Sequence, residues 1–202
     1  RAEIKDILSY LKLCSNPSDS LSFARVINTP PRGLGKSTLD ALNQEASIYG
    51  LSLWESMIRS IESKILTGRA TKSLEDFRKL LQPCMESLTS LPLSKFVKQV
   101  VEATGYRQWL ESDDTEEARS RIENIEELIN AARDAESRGE TIRDFLDHAA
   151  LVSDTDRLDE KARVVLLTTH SAKGLEFPLV CLVGLEEGLF PHSRSLSSQK
   201  EL

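Results

Sequence analysis

The segment Val164–His192, VVLLTTHSAKGLEFPLVCLVGLEEGLFPH, departs from everything before it in the chain. An apolar run, VVLL, leads into a polar loop, TTHSAKG, and LEFP connects that loop to a second apolar run, LVCLVG. Short, continuous apolar runs bounded by polar turns read as strands buried on both faces. The loop between them carries His170, Lys173, Gly174 and Glu176. These supply a switchable donor, a phosphate-seeking cation, a backbone open to close approach and a ribose-type acceptor. Polar side chains at the end of a buried strand are how α/β folds build ligand sites. On the pattern alone, a plain structural connection and a ligand loop are both open.

Upstream, the period changes from two to between three and four. Ile4, Ile7, Leu8 and Leu11 share one helical face, and Asn16-Pro17 breaks it. Asp19 or Ser20 is placed to cap a short helix over Leu21–Ile27. Lys36-Ser37-Thr38 opens another, with Leu39, Leu42 and Ala46 on one side. Leu53–Leu66 and Lys72–Leu88 continue the theme, with Pro83 marking a kink or a break. Pro92 suits a helix start, Gly105 and Gly139 suit stops, and Glu116–Ser137 has the clearest apolar stripe. Thr141 starts a last helix through Leu151, and the acidic SDTDRLDE is expected to be a solvated linker, with a boundary near 153–162. Trp54, Tyr106 and Trp109 are read as core in preference to base-stacking residues.

Between the second and third helices lies Pro30-Pro31-Arg32-Gly33-Leu34-Gly35-Lys36-Ser37-Thr38. Gly35-Lys36-Ser37 invites comparison with a phosphate loop, but that motif needs a glycine five positions before its Gly-Lys pair, and Pro30 stands there. The better functional reading is a glycine turn whose backbone N–H groups approach a DNA phosphate at a helix start, with Arg32, Lys36 and Thr38 adding contacts. A glycine-rich helix–helix turn is the structural alternative.

Composition sets limits. The 202 residues allow one or two domains with a real core. Three scattered cysteines without a CxxC pair point to free thiols, and three scattered histidines lack metal-ligand spacing. No apolar run approaches the roughly 18 residues of a membrane span, and RAEIKDILSY has no signal-peptide form. A cytoplasmic protein is expected. The net charge of −6 is concentrated between Glu111 and Lys161, so a DNA contact should lie elsewhere. The adjacent carboxylates Asp113/Asp114 and Glu126/Glu127 diverge around a helix and are assigned no catalysis.

The run from Val164 to His192 resembles motif V of the UvrD/Rep/PcrA-like superfamily 1 DNA helicases. Arg32–Thr38 is similar to the Gly-Ile-Gly element of their 2B subdomain, with Leu34 in the place of Ile, and SRIENIEEL and FLDHAALVSDTD also resemble family sequence. The resemblance implies a mainly α fold: a helical 2B-like domain over residues 13–155, preceded at 1–12 by the end of a first 2A segment. A strand–loop–strand piece of a RecA-like α/β domain follows at 156–202. It implies nucleotide contacts at Gly174 and Glu176, single-strand contacts at Thr169 and His170, and a nearby role for Lys173. It implies duplex contacts at Arg32, Gly33, Leu34, Gly35, Lys36 and Thr38. Phe190 and His192 belong to a turn on the DNA side.

The parent implied is an ATP-driven, 3′→5′ translocase or helicase using ATP and Mg²⁺, with domains 1A, 1B and the rest of 2A as partners. The family's phosphate-loop, acidic magnesium and arginine-bearing motifs do not occur in this stretch, so no catalytic residue, metal site or bound cofactor is expected here. Two other classes stand beside this one. The acidic surface suits a helical module whose partner is a regulatory protein. A small-molecule kinase would use Gly35-Lys36-Ser37.

Overall fold

The computed structural model describes residues 1–63, 65–66, 68–155, 166–167, 172 and 176–183. The chain divides into two compact units, Arg1–Ser153 and Asp154–Leu202.

The first unit is helical throughout. Its helices are α1 (Ala2–Ser15), α2 (Ser20–Val26), α3 (Lys36–Tyr49), α4 (Leu53–Ser63), α5 (Gly68–Ser87), α6 (Leu93–Ala103), α7 (Tyr106–Glu111) and α8 (Glu116–Ser137), with α9 (Ile142–Thr155) crossing the unit boundary. Side chains explain where several of them begin. The Asp19 carboxylate accepts the Ser22 N–H at 2.9 Å and caps α2. Ser52 and Glu55 form a reciprocal pair at the start of α4: the Ser52 N–H donates to Glu55 at 2.8 Å, and the Glu55 N–H donates to the Ser52 hydroxyl at 3.2 Å. Thr141 and Asp144 repeat this arrangement at α9, and Thr115 alone caps α8. Two serines lower the Glu55 and Glu136 pKa values: the Ser52 N–H first for Glu55, and the Ser94 hydroxyl first for Glu136.

The structure departs from the sequence reading at several places; α4 ends at Ser63 and α5 begins at Gly68, four residues ahead of Lys72. Helix α5 runs unbroken through Pro83. Pro83 faces solvent, so the carbonyl it leaves unpaired can turn to water, while Phe77, Leu81 and Cys84 are buried on both sides of it and seat the helix. Helix α9 extends to Thr155, taking up the first residues of the acidic stretch expected to be a linker.

Helix α1 lies at the centre. It packs against α2, α5, α6 and α8, and Ile7, Tyr10, Leu11 and Leu13 are fully buried. Phe23 of α2 meets Phe77 of α5 edge-on at 5.9 Å and Trp54 of α4 at 6.4 Å. Trp54 and Trp109 are partly buried against this core and Tyr106 is within it, in line with their reading as core.

Polar side chains also enter the interior, each with a partner. Asp6 of α1 binds Arg25 of α2 at 2.7 Å and accepts the Tyr106 hydroxyl of α7 at 2.6 Å. Glu3 accepts from Asn124 of α8 at 2.7 Å. Glu45 of α3 pairs with Arg59 of α4 at 3.0 Å and accepts the Ser60 hydroxyl. No buried side-chain nitrogen or oxygen among the described residues lacks a partner. Cys14 and Cys84 are buried free thiols, and burial pushes both away from the thiolate. Among the described residues no helix is long and apolar enough to cross a membrane, and no His/Cys/Asp/Glu group is arranged to hold a metal ion.

In the second unit the described residues show no β-ladder. Most of the expected strand–loop–strand, including Val164, Val165 and the loop from 168 to 171, lies outside them. The burial expected for these runs is not found where they are described: Leu166 is 92 % exposed, Leu179 82 % and Val183 89 %. A continuous apolar run needs a covering layer on each face, and the described residues supply neither.

Asp6 is the polar centre of the first unit, so its truncation should be felt. Asp6→Ala strands the buried Tyr106 hydroxyl and is expected to cost about 2–3 kcal/mol, with Asp6→Asn costing about 1 kcal/mol less because it still accepts from Tyr106. Urea unfolding followed by circular dichroism checks this: both midpoints fall with an unchanged slope, alanine further. Equal midpoints for the two variants would remove the tyrosine from the account.

Candidate nucleic-acid interface

The turn between α2 and α3 is built by one side chain. Asn28 Oδ1 accepts the Arg32 N–H at 2.8 Å and the Leu34 N–H at 3.1 Å, folding residues 28–34 back on themselves. Leu34, only 3 % exposed, plugs the turn into the hydrophobic core. Gly33 sits between those two bonded amides with φ +72°, a left-handed conformation that L side chains resist. The Thr29–Pro30 bond is cis.

Gly35 then starts α3. It has extended backbone (φ −79°, ψ −177°), carries no side chain to cap the helix, and its carbonyl accepts the Thr38 and Leu39 N–H groups at 3.1 and 3.3 Å. Among the described residues, the N–H groups of Gly33, Gly35, Lys36 and Ser37 find no partner. Helix starts leave such donors, and they carry the positive end of the helix dipole. The Lys36 side chain is exposed beside them.

Arg32, Leu34 and Thr38 are expected among the duplex contacts, and the structure uses them differently. The Arg32 guanidinium turns inward and donates to the carbonyls of Pro30 at 2.9 Å, Thr104 at 2.9 Å and Val26 at 3.4 Å. It also lies over the rings of Phe77 at 5.5 Å and Tyr10 at 5.9 Å. Its donors are thus committed to holding the loop. The Thr38 side chain is buried, as is Leu34. The exposed members of the set are Gly33, Gly35 and Lys36.

Tyr10 completes the support. Its hydroxyl donates to the carbonyls of Val26 and Thr29, and burial raises its pKa strongly, so it stays a neutral donor although Arg32 pulls the other way. Sequence reading takes Asn28 only as part of a turn. An asparagine ahead of a Pro-Pro-X-Gly stretch is the available signal for its bracing role. It also passes over Arg69, the second residue of α5, whose Nη2 lies 3.9 Å from where a Cβ on Gly33 would stand.

The phosphate-loop alternative fails on architecture. Such a loop joins a strand to a helix, and Ser20–Val26 ahead of this turn is a helix. Of the residues proposed for nucleotide and single strand, Glu176 is described and exposed. Thr169, His170, Lys173 and Gly174 lie outside the described residues, as do Phe190 and His192.

Comparison with known proteins gives a consistent picture. The UvrD-like helicase C-terminal domain family model matches residues 1–202. The ATP-dependent DNA helicase PcrA of Bacillus subtilis is 39 % identical over 211 aligned residues, which cover 100 % of this chain and 28 % of that protein. The DNA helicase II of Escherichia coli is 41 % identical over 202 aligned residues, covering 97 % and 28 %. The PcrA helicase of Staphylococcus aureus is 37 % identical over 205. The chain spans 28 % of the length of these curated relatives.

Asn28→Ala should leave two loop N–H groups without an acceptor, costing about 1–3 kcal/mol and speeding hydrogen exchange at Leu34. Gly33→Ala should cost about 1–2 kcal/mol through its backbone angle alone, since the added carbon meets nothing closer than Arg69 at 3.9 Å. Gly33→Asn should cost less, because asparagine tolerates that angle. Chemical denaturation of the three variants orders them, and Asn no better than Ala would shift the cause from φ to space.

Proposed function

The chain belongs to the UvrD-like helicase C-terminal domain family, and on that premise we propose that it works within an ATP-dependent, 3′→5′ DNA helicase. Residues 13–155 act as the duplex-contacting and regulatory 2B domain. Residues 1–12 are the end of a first 2A segment, whose helix continues into the 2B core. Residues 156–202 belong to a RecA-like 2A domain that carries motif V.

The observation that carries the duplex contact is the turn at Gly33–Ser37. Asn28, Leu34 and Arg32 brace it from inside, and four backbone N–H groups and the Lys36 ammonium are left for a ligand. Backbone donors at a helix start suit a phosphate oxygen and read no base, which is the contact a translocating enzyme needs at any sequence. Arg32 serves this contact by holding the turn's shape, Leu34 by anchoring it, and Thr38 through its backbone N–H, which closes the helix start on the Gly35 carbonyl.

In the motif V segment, Glu176 accepts a hydrogen bond from the ATP ribose beside Gly174. Thr169 and His170 meet the single strand, and Lys173 lies between these tasks. Exposure of Glu176 and of the neighbouring apolar residues Leu179, Val180, Leu182 and Val183 supports a surface completed by the rest of the motor, domains 1A, 1B and the remainder of 2A. ATP and Mg²⁺ act in the whole enzyme. The family's phosphate-loop and acidic magnesium motifs do not occur in this stretch, and the role we assign to it is coupling.

A second reading rests on the acid-rich surface of α8, where Glu116, Glu117, Glu123 and Glu136 are exposed. In it the helical unit binds a regulatory protein and no DNA.

Fluorescence anisotropy with a forked duplex separates the two. The 202-residue chain is expected to bind with an affinity that falls steeply with salt, and Lys36→Glu to weaken binding about tenfold, within the range for loss and reversal of a phosphate contact. No binding at low salt would favour the protein partner. In the intact parent, Glu176→Ala should reduce ATP turnover, and wild-type turnover would sink the ribose role. Mg-ATP titrated into this chain alone should give no heat, and a saturable signal would reopen the kinase reading.

A further inference from the structure

The loop has a second cation beside it. Arg69 is exposed in the first turn of α5, with its Nη2 3.9 Å from the Cβ position of Gly33. Among the described residues it has neither an ion-pair partner nor a hydrogen bond. Several other arginines of the unit are committed: Arg25 to Asp6, Arg59 to Glu45, Arg107 to Glu111 and Glu126, and Arg32 to backbone carbonyls. The helix starts on either side of the turn share a further property. Helices α3 and α5 carry Lys36 and Arg69 in their first turns and no acidic residue there. A cation at a helix start is opposed by the dipole, and a bound anion relieves that opposition. Two such cations thus flank one turn with unpartnered N–H groups.

We propose that Arg69 is a further phosphate-binding residue of this loop, gripping the DNA backbone next to the Gly33–Ser37 amides. The proposal rests on the duplex-contact reading of that turn. A guanidinium presents paired donors that match two phosphate oxygens, so Arg69 fixes the orientation of the phosphate while Lys36 contributes charge. Gly33 separates the tasks: its left-handed angle shapes the turn, and its missing side chain leaves the space beside Arg69 open.

The test is a salt titration of forked-duplex binding by the 202-residue chain. Each phosphate neutralised contributes about 0.9 to the slope of log K against log salt. Arg69→Ala is expected to bind about three- to tenfold more weakly, with a slope flatter by about 0.9. Arg69→Lys should keep the slope and lose part of the affinity, which distinguishes a guanidinium contact from charge alone. Arg78→Ala, about two and a half turns further along α5 and so on its opposite side, should match the wild type. Unchanged helical circular dichroism in each variant excludes misfolding as the cause. If Lys36→Glu weakens binding and Arg69→Ala leaves both affinity and slope unchanged, Arg69 is not a contact and the proposal falls alone. If the wild-type chain binds no duplex, the reading of the turn falls and takes the proposal with it.

Discussion

A small set of buried polar groups on α1 holds the molecule in register. Burying a polar side chain is costly unless every donor and acceptor is paired, and α1 buries Glu3, Asp6 and the hydroxyl of Tyr10. Asp6 ties α1 to Arg25 of α2 and to Tyr106 at the start of α7. One turn further along, Tyr10 holds the carbonyls of Val26 and Thr29, where α2 ends and the glycine turn begins. Arg32 closes the circuit by donating to Thr104, two residues before Tyr106. The turn is therefore suspended between the end of α2 and the corner between α6 and α7, with α1 behind both. Apolar packing alone would let these helices slide by small amounts. The directional bonds of Asp6, Tyr10 and Arg32 each accept only one placement.

That arrangement explains which parts of the chain are legible in its sequence. Helix positions follow from local information: apolar spacing, Asp19 and Thr141 as starters, Gly105 and Gly139 as stops. These signals act within a few residues, so they survive without knowledge of the fold. Arg32 shows the opposite case. In a turn rich in glycine beside Lys36, an arginine reads as a phosphate ligand. Its destination is decided by Thr104, 72 positions away, and by the ring of Phe77, neither of which the local sequence reveals. Arg69 is hidden for the same reason, since only the packing of α5 brings it to Gly33. Pro83, read as a kink or a break, does not break the helix. Local chemistry argues for a break, but buried Phe77, Leu81 and Cys84 keep the helix seated on both sides of it.

The apolar segment after Leu166 is legible as strand material by composition, yet composition cannot say what covers it. Continuous apolar runs presuppose layers on both faces. The exposure of Leu179, Val180, Leu182 and Val183 shows those layers are not supplied by the described residues. Glu176 is exposed as well.

A net-acidic chain can still grip DNA if charge is segregated and screened. The acid-rich helix α8 packs on α1, α6 and α7, whereas α3, which starts at the glycine turn, packs on α4. Some of the acids are also held by neighbouring arginines, as in Arg119–Asp114 and Arg121–Glu117, and these exposed pairs contribute little to stability. At physiological salt the reach of an exposed charge is only about 8 Å. On the proposed reading, a phosphate at Gly33–Ser37 would respond mainly to the charges and unpartnered amides within that reach, and hardly to the total of −6. That total acts at longer range and lower salt, where it opposes indiscriminate adsorption to nucleic acid. If the turn is the proposed duplex contact, local attraction within a repulsive average favours a contact that forms only when the backbone is presented to this one turn.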